Sequence, residues 1–154
     1  MSATRAVRPL RQGDRPAWDR LWQGYLTFYG EDLPAEITEQ TWTRILDPQF
    51  ELHGICVTDG ERIVGICHYH FHVSTWSAGP YCYLEDLYVD EELRGGGYGR
   101  ALIEAVYAAA DERAAARVYW VTQTDNATAR RLYDRIATLR NFVQYSRKLG
   151  SANL

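Results

Sequence analysis

Between Tyr81 and Ala110 the chain reads YCYLEDLYVDEELRGGGYGRALIEAVYAAA: an apolar and aromatic run, a short acidic link, a glycine cluster, then a strongly helix-forming stretch. That order predicts strand, tight loop, helix. Arg94-Gly95-Gly96-Gly97-Tyr98-Gly99 stands at the junction. Four glycines in six residues let a backbone turn sharply and approach another group with no side chain between. The first amides of the following helix have no intrahelical acceptor, and the helix dipole favours an anion there. The segment is a candidate phosphate or pyrophosphate cradle, with an ordinary glycine-rich turn as the plainer alternative.

Spacing narrows the ligand. A dinucleotide fingerprint needs Gly-x-Gly-x-x-Gly, but Arg100 and Leu102 stand three residues after Gly97 and Gly99. A nucleoside triphosphate loop needs Gly-Lys-Ser/Thr, and the only lysine in the chain is Lys148. What remains is Arg-x-x-Gly-x-Gly, formed by Arg94, Gly97 and Gly99, after an apolar strand that carries Glu85. In this the sequence resembles the GNAT acetyltransferase superfamily, and in Leu84 to Val89 (LEDLYV) its polyamine and histone-type N-acetyltransferase branch. The resemblance runs over residues 81–148. Asn126-Ala127-Thr128-Ala129-Arg130-Arg131-Leu132-Tyr133 stands where that family has its second cofactor-binding segment. One departure is plain: the family's Gly-Phe pair after the Tyr133 position is replaced by Ala137-Thr138-Leu139-Arg140-Asn141-Phe142.

The whole chain fits one domain over residues 1–154, long enough for a sizeable core. Hydrophobic residues at 46% and charged residues at 24% exclude a disordered chain. A net charge of −3 argues against nucleic acid as the main partner. Cys56, Cys67 and Cys82 are odd in number and lie in apolar runs, which suits reduced thiols in a cytoplasmic protein. No signal peptide and no apolar run of about 20 residues stands in the sequence, so neither secretion nor a membrane partner is expected. Eleven Tyr and five Trp are compatible with a homodimer.

Periodicity orders the elements. A strand is expected over Ala3 to Arg8, before Pro9. A helix capped by Asp14 should follow, with Trp18, Leu21, Trp22, Tyr25, Leu26 and Tyr29 on one face. A second helix covers Ala35 to Leu46 and stops at Asp47-Pro48. Leu52 to Thr58 and Arg62 to Val73 form a hairpin around Asp59-Gly60. The strand Tyr81 to Val89 follows a polar loop. After it come a helix from Gly97 to about Ala115, with Leu102, Ala105, Val106 and Ala109 on its stripe, and a strand over Val118 to Thr122. A helix over Ala127 to Ile136 and a last strand over Phe142 to Lys148 complete the order. The class is α/β, with a mixed, mostly antiparallel sheet of six to seven strands flanked by about four helices. The resemblance adds that the fourth and fifth strands splay to admit the cofactor.

Acetyl transfer to an amine needs a proton acceptor, an oxyanion donor and a proton for the departing thiolate. By resemblance, Glu85 matches the catalytic glutamate of the branch, and an ammonium of pKa near 10 makes a base useful. The alternative is that Glu85 only attracts a cationic substrate. Asp86 should face the other way if the strand is regular, as a structural hydrogen-bonding carboxylate. Tyr133 stands where the family has a tyrosine near the thioester sulfur; otherwise it is a core tyrosine. The resemblance implies acetyl-CoA as acetyl donor and CoA as product. Its pyrophosphate would meet the amides of Arg94, Gly95, Gly96, Gly97, Tyr98, Gly99 and Arg100, its pantetheine arm the backbone of Leu87 and Val89, and the oxyanion a backbone N–H in the Leu87-Tyr88-Val89 segment. Asn126 would add a hydrogen bond or serve as a helix cap.

Trp22, Tyr25 and Tyr29 are candidate aromatic walls for a small-molecule amine acceptor, with Glu31 and Asp32 as an acidic rim. His68, His70 and His72 alternate on one strand face, a spacing able to hold zinc or copper. With no clear further ligand nearby, plain imidazoles lining the cleft are the simpler reading, and no metal is expected. Rival functions are acetylation of a protein or peptide lysine or amino terminus, and a non-catalytic CoA-binding module.

Overall fold

The computed structural model describes residues 4–150. The strand expected from Ala3 therefore begins outside the described residues, and β1 runs over Arg5–Pro9. It is followed by α1 (Arg15–Phe28), α2 (Ala35–Leu46), β2 (His53–Asp59), β3 (Arg62–His72), β4 (Tyr81–Val89), α3 (Tyr98–Glu112), β5 (Arg117–Tyr119) and α4 (Ala127–Ile136). The chain divides into two compact units, the first through Trp120 and the second from Val121.

The first unit holds a five-stranded sheet in the order β1-β2-β3-β4-β5. The first three pairings are antiparallel and the last is parallel. Between β2 and β3, Asp59 pairs with Arg62 across a two-residue loop, where Gly60 takes a φ of 63° that a side chain would resist. By alternation, His68 and its neighbours two residues away face α1, while Tyr69 and Phe71 face α3, whose C-terminal Arg113 stacks on Phe71. The core on the α1 side is aromatic. Trp18 is fully buried, 5.9 Å from Trp22 and 4.9 Å from Trp42, among Leu21, Leu26, Cys56 and Ile66. On the other side α3 buries Leu102, Ile103, Val106 and Ala110. Its stripe is thus turned toward Ile103 and Ala110, away from the expected Ala105 and Ala109.

Asp14 occupies the N-cap position of α1, but its carboxylate turns back. It accepts from the Arg11 amide at 2.7 Å and from Arg8 at 2.7 and 3.0 Å. The Arg8 guanidinium accordingly holds the Asp14 carboxyl below the usual carboxylate range. α2 ends as expected, Asp47 being extended ahead of Pro48.

Two strand expectations are corrected. β5 stops at Tyr119, because its ladder with β4 spans only Tyr81–Arg117, Cys82–Val118 and Tyr83–Tyr119. The strand expected over Phe142–Lys148 does not form: residues 141–149 contain no regular element, since a strand exists only where a neighbour supplies ladder hydrogen bonds. The sheet therefore has five strands among the described residues, fewer than the six to seven expected. The second unit contains α4. Asn126 caps it by accepting from the Ala129 amide at 3.4 Å, and donates to Thr122 at 3.2 Å.

Candidate active site

The glycine segment forms a cradle. Gly95 and Gly97 take φ of 87° and 85°, a left-handed conformation that β-carbons oppose. Gly97 is the N-cap of α3, and the first helical bond runs from the Ala101 amide to its carbonyl at 3.0 Å. The Tyr98, Gly99 and Arg100 amides thus lie in a first turn with no intrahelical acceptor. Sequence reading misses Arg5. From β1, 91 residues away, it donates to the Gly96 carbonyl and lies 4.6 Å from the Tyr98 ring centre. A β-carbon on Gly97 would fall 2.9 Å from its Nη1. Nothing local in the sequence announces this contact. Arg94 turns toward α1: its Nε donates to the Val89 carbonyl and its guanidinium lies 5.3 Å from the Phe28 and Tyr88 rings. Arg100 pairs with Glu104 one turn on, at 2.9 Å.

β4 leads into this cradle. Its edge toward β5 is paired only as far as Tyr83, so Leu84 to Val89 have β3 on one side and no strand on the other among the described residues. A free strand edge ending at exposed helix amides can take an extended polar chain ending in an anion.

Where β4 loses β5, it also carries a bulge. His68 pairs with Asp86 but Tyr69 pairs with Leu84, leaving Glu85 as the extra residue. The expectation that Asp86 faces away from Glu85 assumed a regular strand, and the bulge corrects it. Both carboxylates meet imidazoles on the α1 face of β3: Asp86 Oδ2 lies 2.9 Å from His68 Nδ1, and Glu85 Oε2 lies 3.4 Å from His70 Nε2.

The two carboxylates differ in surroundings. Asp86 is a hydrogen-bonding hub, as expected of it. His68 is 1% exposed and its Nε2 accepts from Trp18 Nε1 at 3.0 Å. An indole can only donate, so the His68 proton sits on Nδ1 and is given to Asp86. Burial, followed by the nearby Asp86 carboxylate, pushes the pKa of the Tyr25 hydroxyl up. Glu85 keeps 48% of its side chain exposed. An open carboxylate where two strands diverge can accept a proton directly or through water.

Trp22 lies in the core, stacked between Trp18 and Tyr25 and donating to Thr38 at 3.3 Å. Tyr29 closes the end of α1 against the Tyr25 ring, while Glu31 and Asp32 are exposed. Gly24, in mid-helix, lets the Tyr88 ring approach α1: a β-carbon there would sit 2.7 Å from the Tyr88 hydroxyl. Tyr133 lies on α4 in the second unit. The three histidines have separate partners, His72 meeting Tyr119 at 2.7 Å, and among the described residues no three His, Cys, Asp or Glu side chains converge as a metal-ligand set. A shallow depression of about 700 Å³ along α2, lined by Glu39, Thr43 and Phe50 among others, holds none of the candidate residues. Among the described residues no helix is long and apolar enough to cross a membrane.

The glycine cradle and the parting of β4 from β5 are what the resemblance to the acetyltransferases implies, and the comparisons agree. The family model described as Acetyltransferase (GNAT) family matches residues 16–137. A D-amino-acid N-acetyltransferase of Saccharomyces cerevisiae is 38% identical over 143 residues, covering 92% of this chain and 89% of the relative. A thialysine N-epsilon-acetyltransferase of Caenorhabditis elegans is 31% identical over 85 residues, covering 55% of this chain and 52% of the relative. The solved structure of AAC(6')-Iy with the bisubstrate analogue CoA-S-monomethyl-acetylneamine shares the fold, with a TM-score of 0.81 at 17% identity, covering 96% of this chain and 100% of that one. The chain belongs to the GNAT acetyltransferase family and is an N-acetyltransferase.

Proposed function

We propose that this enzyme transfers the acetyl group of acetyl-CoA directly, in a ternary complex, to the primary amine of a small molecule. The observation that carries the proposal is Glu85, raised on a bulge at the point where β4 and β5 part. The names of the two curated relatives support an acceptor among amino acids and their analogues.

Acetyl-CoA supplies the activated acyl group; the chain supplies position and proton traffic. The amides of Gly95, Gly97, Tyr98, Gly99 and Arg100 would hold the pyrophosphate, those of Arg94 and Gly96 being given to the Glu91 and Leu93 carbonyls, and the free edge at Leu87, Tyr88 and Val89 would hold the pantetheine arm and an oxyanion. Asn126 would add a hydrogen bond beside its capping role. Glu85 would take the ammonium proton through water, and Tyr133 would return one to the thiolate. Tyr25 and Tyr29, backed by Trp22, would wall the acceptor side, with Glu31 and Asp32 at the rim.

A covalent acetyl-cysteine step finds no support. Cys56, Cys67 and Cys82 are all buried; burial holds the thiols of Cys56 and Cys82 at about 11 and that of Cys67 well above its ordinary value. The working form is proposed as a single catalytic domain, the family match running across both compact units. Reduced thiols support a cytoplasmic setting. Exposed Val73 and Trp76 support a homodimer, which sedimentation would test.

The test of function is thiol release from acetyl-CoA against amino acids, polyamines, aminoglycosides and a lysine peptide. Saturable turnover of a small amine is expected. Turnover of the peptide alone would move the enzyme to protein acetylation. Acetyl-CoA binding without any turnover would leave a binding module.

A further inference from the structure

Five rings from three strands line the face of the sheet on which Glu85 stands. His70 meets Tyr83 at 5.5 Å, Tyr83 meets Tyr119 at 4.9 Å, and Tyr81 lies 5.7 Å from His72 and 6.3 Å from Tyr119. His72 fixes this wall: its Nδ1 proton goes to the Val73 carbonyl at 2.9 Å, and its Nε2 accepts from the Tyr119 hydroxyl at 2.7 Å. Arg117 closes the far end. It is a partly buried residue, the cross-strand partner of Tyr81, and its guanidinium lies 4.5 Å from the Tyr81 ring centre. Among the described residues it pairs with no carboxylate. Tyr119, between the two ends, feels both: burial and then Glu85 raise its pKa, while Arg117 opposes them.

A carboxylate at one end, rings between and a guanidinium at the other is complementary to a molecule carrying an ammonium, an apolar stem and a carboxylate in that order. The separation decides which molecule. Glu85 stands four residues along β4 from Tyr81, roughly 13 Å of strand. In an α-amino acid acetylated at its α-nitrogen, amine and carboxyl carbon lie only about 2.5 Å apart, too close to engage both ends. In lysine six bonds separate the terminal nitrogen from the carboxyl carbon, about 7 Å when extended. The glutamate and arginine side chains cover the remainder.

We propose that Arg117 anchors the acceptor's carboxylate, and that the acceptor is an ω-amino acid acetylated at its terminal nitrogen with its methylene stem along Tyr81, Tyr83 and Tyr119. The inference rests on the reading of the chain as a small-amine acetyltransferase and deepens it by fixing substrate class and regiochemistry. In the reaction the terminal amine loses a proton toward Glu85 and forms the N–C bond. The thioester C–S bond breaks, and the thiolate takes up a proton to leave as CoA.

The experiment compares lysine, ornithine, 2,4-diaminobutyrate and lysinamide as acceptors for the whole enzyme and for Arg117→Gln and Arg117→Lys, with the acetylated nitrogen located by NMR. Wild type is expected to modify the terminal nitrogen, to lose kcat/KM as the stem shortens, and to favour lysine over lysinamide. Arg117→Gln should shrink that lysine-to-lysinamide ratio about 10- to 100-fold, the range for a charge-assisted hydrogen bond, and Arg117→Lys should restore part of it. A merely structural arginine would lower both rates together and leave the ratio unchanged, which would overturn the proposal. So would acetylation of the α-nitrogen, or indifference to stem length in wild type, a result that does not depend on any variant folding. Either outcome leaves the acetyltransferase reading standing. Failure to acetylate any amine would remove both.

Discussion

Two imidazole–carboxylate pairs stand side by side across β3 and β4 and are built in opposite ways. His68 and Asp86 lie under α1, where Trp18 takes the second His68 nitrogen and the Tyr25 phenol lies near the carboxylate. His70 and Glu85, the next pair along, are joined at 3.4 Å and stand in partly open space. Each pair joins an imidazole to a carboxylate. What separates the two is how far each proton position already has an assigned partner. Both nitrogens of the inner imidazole are taken, so the inner pair fixes the wall on which the outer pair stands.

The comparison breaks most severely at Trp18. Trp18→Ala should cost about 3–5 kcal/mol, because a fully buried indole is lost together with the donor that sets the His68 tautomer. Denaturant unfolding would read this, and a loss near zero would mean that the inner pair is not a support. Next is Glu85→Gln. A general base contributes about 10²–10⁴ in rate, so kcat should fall at least 100-fold while the melting temperature barely moves. An unaltered kcat would reduce Glu85 to an attractor of cations.

His68→Leu should come third. It strands the Trp18 N–H and the Asp86 carboxylate, at about 1–3 kcal/mol each by the usual penalty for an unpartnered buried group. It should lower stability first and activity only through that. His70→Leu, by contrast, should leave stability within about 0.5 kcal/mol. Equal stability losses from these two variants would erase the distinction between the pairs.

A modest effect of a different origin lies away from both, at Asp14. Its carboxyl is depressed by Arg8, so its contribution is present above the unfolded carboxylate value near 3.9 and fades as pH falls through the lower folded value. Asp14→Asn should therefore cost about 1 kcal/mol at neutral pH and progressively less in acid. Urea titrations at pH 7 and at pH 3 would show the convergence.

Much of this frame was legible in the chain. α2, β4 and α4 were bounded correctly to the residue, because Asp47-Pro48 and the run from Tyr81 to Val89 carry their own punctuation. The glycine loop was legible for the same reason, since left-handed backbone at Gly95 and Gly97 is a local demand. Features set by distant partners were not. Arg5 reaches Gly96 across 91 residues, and Gly24 is explained only by the Tyr88 ring against it. The Glu85 bulge depends on the register of β3, which no periodicity in β4 reveals. The strand expected at Phe142–Lys148 failed likewise: alternation describes a strand's faces but supplies no neighbour to bond with.

The surplus residue at Glu85 also makes β4 far more sensitive to its length than to its spelling. Substituting that position changes one side chain. Deleting it would mend the ladder with β3, giving the fold a more regular sheet while removing the raised carboxylate altogether. A chain shortened to the tidier strand would keep its architecture and lose, in a single step, the carboxylate proposed as its base, so the irregular count of residues bears on the proposal more than any one letter does.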